Sequence, residues 1–172
     1  MKLDSDDFEL FDLPSRHEQD PSAIDAKWRA LLAQVHPDRF VSEGAAAQRL
    51  ALQWSVRINE AYRRLKDPLQ RAAYLCELHG VAIAAEDNTA MPAAFLMQQM
   101  EWRESLEEAQ DLTQVDALAA DVRAVRSRSL DELRASIDER SDYAQAAQQV
   151  RSLMFVERFS RDVDQRAEAL EQ

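Results

Sequence analysis

The chain has 172 residues, 46% hydrophobic and 31% charged, enough for one domain or two small ones with a real core. Two glycines and five prolines against 28 alanines favour helix, exclude an all-β barrel and argue against glycine-rich phosphate loops. A net charge of −11 lacks the overall basic footprint of a nucleic-acid binder, so no nucleic-acid partner is expected.

The first segment, Phe8-Glu9-Leu10-Phe11-Asp12-Leu13, is short and apolar. Ser5 and Asp6 can cap it, Pro14 closes it, and a helix of one or two turns fits, with a strand as the competing reading. Asp20-Pro21 then supplies a cap and a first helical residue. Ile24, Trp28, Leu31, Leu32 and Val35 follow on one helical face, with Lys27 and Arg29 off it, and Pro37 stops the helix. The next helix is expected from about Ser42-Glu43, with Leu50, Trp54, Ile58, Ala61 and Leu65 as its stripe. Asp67-Pro68 ends it and opens a fourth helix through Leu69, Ala72, Leu75 and Leu78, closed by Gly80.

Residues 81–91 lose periodicity and read as a linker. Three longer helical patterns follow. The first runs from about Pro92 to Gln110. The second is expected to be capped by Thr113, with Val115, Leu118, Val122, Val125, Leu130, Leu133 and Ile137 as apolar positions. The third is expected to be capped by Ser141 and runs to the end of the chain. Short connections favour antiparallel neighbours, hence a three-helix bundle.

The charge is uneven. Residues 21–80 carry nine Lys and Arg against six Asp and Glu; residues 81–172 carry ten against nineteen. The two halves are therefore expected to face different partners. Cys76 is the sole cysteine, and with His17, His36 and His79 scattered it makes no Cys/His metal site, so no metal and no cofactor are expected. Cys76 reads as a small buried hydrophobe and His79 as a favourable helix C-terminal residue. The acidic N-terminus is unlike a signal peptide, and no apolar run reaches the roughly 20 residues needed to span a bilayer. A cytoplasmic protein with no membrane partner is expected.

His36-Pro37-Asp38-Arg39-Phe40 sits between two amphipathic helices. The tripeptide alone is a weak signal and could be an ordinary turn. A catalytic His–Asp dyad would need a nucleophile or metal, and nothing in the sequence supplies one. Context decides: one helix ends at the tripeptide, and the next carries Ile58-Asn59-Glu60-Ala61-Tyr62-Arg63-Arg64-Leu65-Lys66-Asp67-Pro68, followed by Arg71 and Tyr74. This resembles a J-domain, which stimulates ATP hydrolysis by DnaK-class chaperones. Pro37 would hold the loop out of helix and leave His36 and Asp38 exposed, where a carboxylate can meet an arginine. Lys27, Arg29 and Arg39 nearby can steer an acidic partner.

The resemblance extends further. Phe8-Glu9-Leu10-Phe11-Asp12-Leu13-Pro14, Arg39-Phe40, Ala73-Tyr74-Leu75-Cys76-Glu77-Leu78-His79-Gly80 and Phe95-Leu96-Met97-Gln98-Gln99-Met100-Glu101-Trp102-Arg103-Glu104 are all similar to the HscB co-chaperone family. This implies a J-domain followed by a C-terminal three-helix bundle that delivers the iron–sulfur scaffold protein IscU to the DnaK-class chaperone HscA. Ala33, Gln34 and Val35 stand where J-domains often carry aromatic and basic residues, which weakens the basic patch. Asp12 stands where the family commonly has glycine and reads as a surface change. No paired-cysteine extension precedes the J-domain, so a bacterial-type protein is expected.

Residues 92–110, placed on a helix from Phe95, bring Phe95, Trp102, Leu106 and Ala109 within about 60° of one another as a core stripe. Leu96, Met97 and Met100 fall roughly 100–200° away with Arg103 and Glu104. That second apolar patch is either buried in the bundle or offered to a partner, for which methionine is well suited. Phe155, in Leu153-Met154-Phe155-Val156, fits neither the stripe before it (Tyr143, Ala147, Val150, Met154) nor the one after it (Phe159, Val163, Leu170), and could simply be buried where the core face rotates. The family resemblance implies that Leu96, Met97, Met100, Glu101, Glu104 and Phe155 bind the scaffold protein. Trp28 and Trp54 are expected to face each other in the J-domain core.

The expectation is an all-α protein: an N-terminal J-domain at 1–80, a linker at 81–91 and an antiparallel three-helix client-binding domain at 92–172. It is expected to be monomeric and without catalytic activity of its own. The competing readings are a J-domain co-chaperone for a different client and a structural helical scaffold without a chaperone partner. An ATPase assay of the chaperone separates them.

Overall fold

The computed structural model describes residues 1–84 and 91–172; most of the linker expected at 81–91, namely residues 85–90, lies outside the described residues. Asp6 caps helix α1 (Asp7–Phe11): its carboxylate accepts the Glu9 N–H at 2.8 Å, and Glu9 returns the bond to the Asp6 N–H at 3.2 Å. Two helix-end donors are satisfied reciprocally. The helix closes at Asp12, which takes the left-handed conformation at φ 51°. That conformation is free for glycine and tolerated by aspartate. Asp12 is therefore more than the surface change expected from sequence: it is the C-terminal cap, and its carboxylate lies 3.3 Å from Lys27 Nζ.

Helix α2 (Pro21–Val35) starts as expected, with Asp20 accepting the Ser22 N–H at 2.9 Å. A 3-10 turn, Pro37–Glu43, then leads through Gly44 (φ 96°) into α3 (Ala45–Lys66). The later start of α3 follows from that turn, which takes up Ser42 and Glu43. The two helices pack antiparallel. Trp28 Nε1 donates to Asn59 Oδ1 at 2.9 Å and its ring stacks on Tyr62 at 4.3 Å. One turn earlier, Asp25 accepts from Lys66 at 2.6 Å and from Tyr62 Oη at 2.8 Å. The Lys66 and Tyr62 hydrogen bonds hold the Asp25 carboxyl below its ordinary range, and Asp25 in turn pushes the Tyr62 phenol up. The ring partner of Trp28 is thus Tyr62 rather than Trp54, which is half-buried.

The core face of α3 is Ala51, Ile58, Ala61 and Leu65, whereas Leu50 is 48% exposed. Steps of three and four residues from Ala51 keep one face inward, and Leu50 misses it by about 100° of rotation. Helix α4 (Pro68–Leu78) starts where Asp67 accepts the Leu69 N–H at 2.8 Å. Leu69, Ala72 and Leu75 are buried, but Leu78 is exposed and Cys76 is buried in its place. Gly80 turns the chain at φ 79°, as expected of a C-terminal cap.

One polar pin of this first unit is not legible in the sequence. Asp7 is fully buried, and its carboxylate is gripped by Arg57 at 2.6 Å and by Arg64 at 2.6 and 3.0 Å. The Asp7 N–H donates to Tyr74 Oη at 3.0 Å. Five residues of α1 are too few to fold alone, so this pin and Phe8, Leu10 and Phe11 hold the helix in place.

The compact units divide between Leu75 and Cys76, within α4 and ahead of Gly80. The second unit, Cys76–Gln172, contains α5 (Ala93–Glu108), α6 (Leu112–Arg134) and α7 (Tyr143–Glu171) as an antiparallel three-helix bundle. Part of the expected linker is packed in it: Ile83 is buried and its carbonyl accepts from Arg151 at 2.9 Å. Val115, Leu118, Val122, Val125 and Leu133 of α6 are buried, as are Ala147, Val150, Leu153, Val156, Phe159 and Val163 of α7.

Two helix starts differ from expectation. Asp111, not Thr113, caps α6 by accepting the Gln114 N–H at 2.9 Å. Asp142, not Ser141, caps α7, because Ser141 is left-handed (φ 49°) while the Asp142 side chain accepts the Gln145 N–H at 3.1 Å. A widened π-helical turn, Ala135–Glu139, ends α6 and keeps Ile137 buried. Among the described residues there is no strand, and no helix is long and apolar enough to cross a membrane.

Candidate functional site

The first unit presents its His-Pro-Asp tripeptide at the tip of the α2–α3 hairpin. His36 ends α2 in an extended conformation, and Pro37 opens the 3-10 turn. Pro37 thus starts a tight turn rather than an open loop, yet the side chains of His36 and Asp38 are 59% and 87% exposed. His36 Nδ1 accepts the Asp38 N–H at 3.3 Å. The Asp38 carboxylate lies 3.6 Å from the same nitrogen. Both side chains are held close together, outward and in water. This geometry suits docking: an exposed carboxylate on a stiff turn can form a charge-assisted bond to a partner's guanidinium.

The three cations expected beside the tripeptide differ in their commitments. Arg39 folds back, donating from Nη1 to the Ala33 carbonyl at 2.9 Å, and so caps the end of α2. Lys27 is paired with Asp12, and Arg29 is exposed. The Asp12–Lys27 contact was missed from sequence. The Asp12-Leu13-Pro14 run signals a turn, but not which cation it faces.

The second unit carries the apolar patch. Leu96, Met97 and Met100 of α5 are 46%, 62% and 71% exposed, and Glu101 and Glu104 are exposed beside them. The patch is therefore not part of a core buried on two sides. Trp102 instead anchors α5: its ring stacks on Phe159 at 5.4 Å, and its Nε1 donates to Asp121 at 2.8 Å. It is the one buried residue within α5, while Ala109 is buried just after it. Phe155 of α7 is half-buried under the Arg158 guanidinium, 5.2 Å from its ring centre. A small recess lined by Gln99, Arg103, Phe155, Arg158 and Phe159 brings Phe155 to α5, beside the turns that carry Met100. Gln99 and Arg103 were missed as neighbours of Phe155; their spacing of four residues, which sets them on one face of α5, is the signal that was present.

Cys76 is buried and its Sγ lies 3.7 Å from the Tyr143 carbonyl; burial pushes the thiol up to about 11, so it is no nucleophile near neutral pH. His79 stacks on Tyr143 at 3.8 Å. Among the described residues no cluster of His, Cys, Asp and Glu could hold a metal ion.

Residues 91–164 match the family model described as the HSCB C-terminal oligomerisation domain. The chain is 49% identical to the co-chaperone protein HscB homolog of Burkholderia multivorans, over 99% of both chains. It is 52% identical to that of Bordetella petrii, over 92% of this chain and 94% of the relative. Among solved structures, chaperone HscB from Vibrio cholerae superposes with a TM-score of 0.82 at 34% identity, covering 96% of this chain and 99% of that one.

Proposed function

Because the chain belongs to the HscB co-chaperone family, we propose that it stimulates the ATPase of the DnaK-class chaperone HscA and delivers the scaffold protein IscU to it during iron–sulfur cluster assembly. The observation that carries this reading is the exposed His36-Pro37-Asp38 turn, whose two polar side chains make no hydrogen bond or ion pair outside the turn itself among the described residues. It acts as a docking element and performs no chemistry of its own. His36, Pro37 and Asp38 form the contact, while Lys27, Arg29 and Arg39 supply attraction. The client binds the bundle through Leu96, Met97, Met100 and Phe155, with Glu101 and Glu104 as a polar rim. The protein works as a monomer in the cytoplasm.

Steady-state ATP hydrolysis by the chaperone, with and without this protein and the scaffold, tests the reading. His36→Gln or Asp38→Asn is expected to abolish stimulation with unchanged helical content. Truncating Leu96, Met100 and Phe155 together to Ala is expected to leave stimulation by this protein alone intact and to remove the enhancement that depends on the scaffold. Normal stimulation by Asp38→Asn would refute the docking role.

A further inference from the structure

We propose that a cleft between the start of α5, the end of α6 and the start of α7 is a polar subsite for the scaffold-protein client, taking one basic side chain beside the apolar patch; the proposal rests on the client reading above and deepens it. The cleft holds about 230 Å³ and is lined by Pro92 and Phe95 at the start of α5, Ser129 and Glu132 of α6, and Gln149 and Ser152 of α7. A drug-sized ligand needs roughly 300–1,000 Å³, so this cleft suits a single inserted side chain. Gln149 is half-buried, and its Oε1 lies out of reach of water without a hydrogen bond. A buried acceptor left so is costly, and one donor removes the cost. The last torsion of a glutamine side chain is broad, so the amide can turn towards a donor that enters the cleft. The Glu132 carboxylate on the α6 wall is exposed and makes no ion pair among the described residues. Two acceptors, one of them charged, select a donor that carries positive charge, a lysine or an arginine.

The surrounding charges leave Glu132 in command of the cleft. Among the described residues it is the only charged side chain lining it. Helix α5 carries no charge before Glu101, and α7 none before Arg151, which is buried and bound to the Ile83 carbonyl. On α6, Arg128 and Asp131 are both exposed and offset each other, Arg126 is paired with Glu157, and Arg134 with Glu139. Continuity identifies the occupant. Phe95 stands next to Leu96 in α5, and Gln99, one turn on, lines the recess that holds Phe155. Ser152 stands one turn before Phe155 in α7. The cleft and the recess therefore occupy successive turns of one groove between α5 and α7. A client that covers Leu96 and Phe155 overhangs the cleft without crossing a gap.

The test titrates the scaffold protein IscU against the full chain by calorimetry across a salt series, with thermal unfolding of each variant measured beside it. Glu132→Gln/Gln149→Leu is expected to raise the dissociation constant about tenfold or more at low salt. Glu132→Gln alone is expected to raise it about threefold to fivefold and to make binding less sensitive to salt, and Glu132→Lys to weaken it further. Glu132→Asp keeps the charge and is expected to recover part of the loss. Gln149→Leu removes an amide oxygen without a partner, so the fold is expected to keep its stability. If the double variant nevertheless loses helical content, the three exposed Glu132 variants carry the test by themselves. A double variant that binds like wild type, beside a weakened Leu96→Ala/Met100→Ala/Phe155→Ala, overturns the subsite and leaves the client face standing. Wild-type binding by that triple variant overturns both. A structural role for Glu132, such as offsetting the first turn of α5, which has no side-chain cap, would lower the melting temperature of Glu132→Gln with binding unchanged, and this too overturns the subsite. Weaker binding by Glu132→Gln with the salt dependence of wild type overturns the basic side chain as occupant.

Discussion

Both units have apolar cores, but the N-terminal unit adds buried charge to fasten its helices, whereas the C-terminal unit relies more on apolar side chains. In the first, α1 is pinned to α3 by a fully buried carboxylate between two arginines, and α2 to α3 by Asp25 between Lys66 and Tyr62. In the second, α6 and α7 meet along a seam that includes Val115, Val122, Val150 and Leu153, and Arg126–Glu157 at 3.0 Å lies part-exposed. Helix length explains the difference. A five-residue α1 has only Phe8, Leu10 and Phe11 to bury, and the ion pairs add orientation to that contact; helices of 23 and 29 residues have far more apolar area to bury. The first unit presents a charged turn, with Leu50, Leu52 and Val56 exposed on α3, and the second leaves Leu96, Met97 and Met100 of α5 in water.

The largest break in this comparison is expected in the apolar seam. Leu133 is fully buried, and Leu133→Ala leaves a cavity as well as losing transfer free energy, at a cost of about 2–5 kcal/mol. Denaturant unfolding measures the loss, and amide hydrogen exchange should place it in α6 and α7 while α1–α3 keep their protection. Second in size is Asp7→Asn. It removes a buried negative charge and leaves two arginines facing a neutral amide. Breaking a buried pair costs about 3–5 kcal/mol; here about 2–4 is expected, since Arg64 keeps an edge in water. Exchange should accelerate in α1 and α3 and leave the bundle unchanged. If both variants loosened both units equally, the contrast between them would be wrong.

Sequence reasoning recovered one side of this contrast better than the other, and the reason is physical. Helical periodicity reports apolar faces, so the stripes of α2, α6 and much of α7 could be read directly, and the surplus of Leu96, Met97 and Met100 over the Trp102 stripe marked a second patch without deciding whether it is buried or offered to a partner. Periodicity does not report which distant charges meet. Nothing local sets Asp7, Arg57 or Arg64 apart in the sequence, and Asp12 reads there as a surface change. Each is decided by tertiary contacts across many residues. Helix starts were displaced for a similar reason: several capping residues stand side by side, and the backbone conformation, as at Ser141, selects among them. The exposed His36-Pro37-Asp38 turn was legible because the tripeptide, the helix break at Pro37 and the flanking faces are all local.

The first unit should respond to both extremes of pH and the second to the alkaline one. The Asp25 carboxyl is held low by Lys66 and Tyr62, so its contribution is present above the ordinary carboxylate range and fades as pH falls through the lowered value. Asp25→Asn should flatten the acid limb of the first unit. In the second unit, burial raises the Cys76 thiol to about 11 from 9.0. The unfolded chain ionises first, so stability is full below pH 9 and is lost as pH rises towards 11, by roughly 2–3 kcal/mol. Tyr62 and Tyr74 of the first unit, also raised, add their own loss above pH 10. Unfolding free energies measured under reducing conditions should fall from pH 9 in wild type, and Cys76→Ala should remove that part of the slope. An identical slope in the variant would assign the alkaline loss to other groups.

The smallest expected effect sharpens the comparison most, because it tests whether the charge that fastens the first unit also limits its docking. Asp12 occupies a left-handed cap that glycine would fill without strain, and its carboxylate occupies Lys27. Lys27 lies nine residues before His36, about 13 Å along α2, within reach of a partner seated on the turn. Asp12→Gly should gain about 0.5–1 kcal/mol from the backbone and lose part of that with an exposed ion pair, for a net rise in stability of about 0.5 kcal/mol. Asp12→Asn keeps a residue that tolerates the left-handed region and removes only the charge, so its stability should stay near wild type. Both variants release Lys27, and both should speed association with the chaperone at low ionic strength. The gain should fade as salt shortens the screening length to about 8 Å. Stopped-flow association rates across a salt series check this. Equal acceleration by glycine and asparagine makes the cause electrostatic. Acceleration by glycine alone would trace it to the relaxed backbone of the cap, and no acceleration by either would show that Lys27 takes no part in docking.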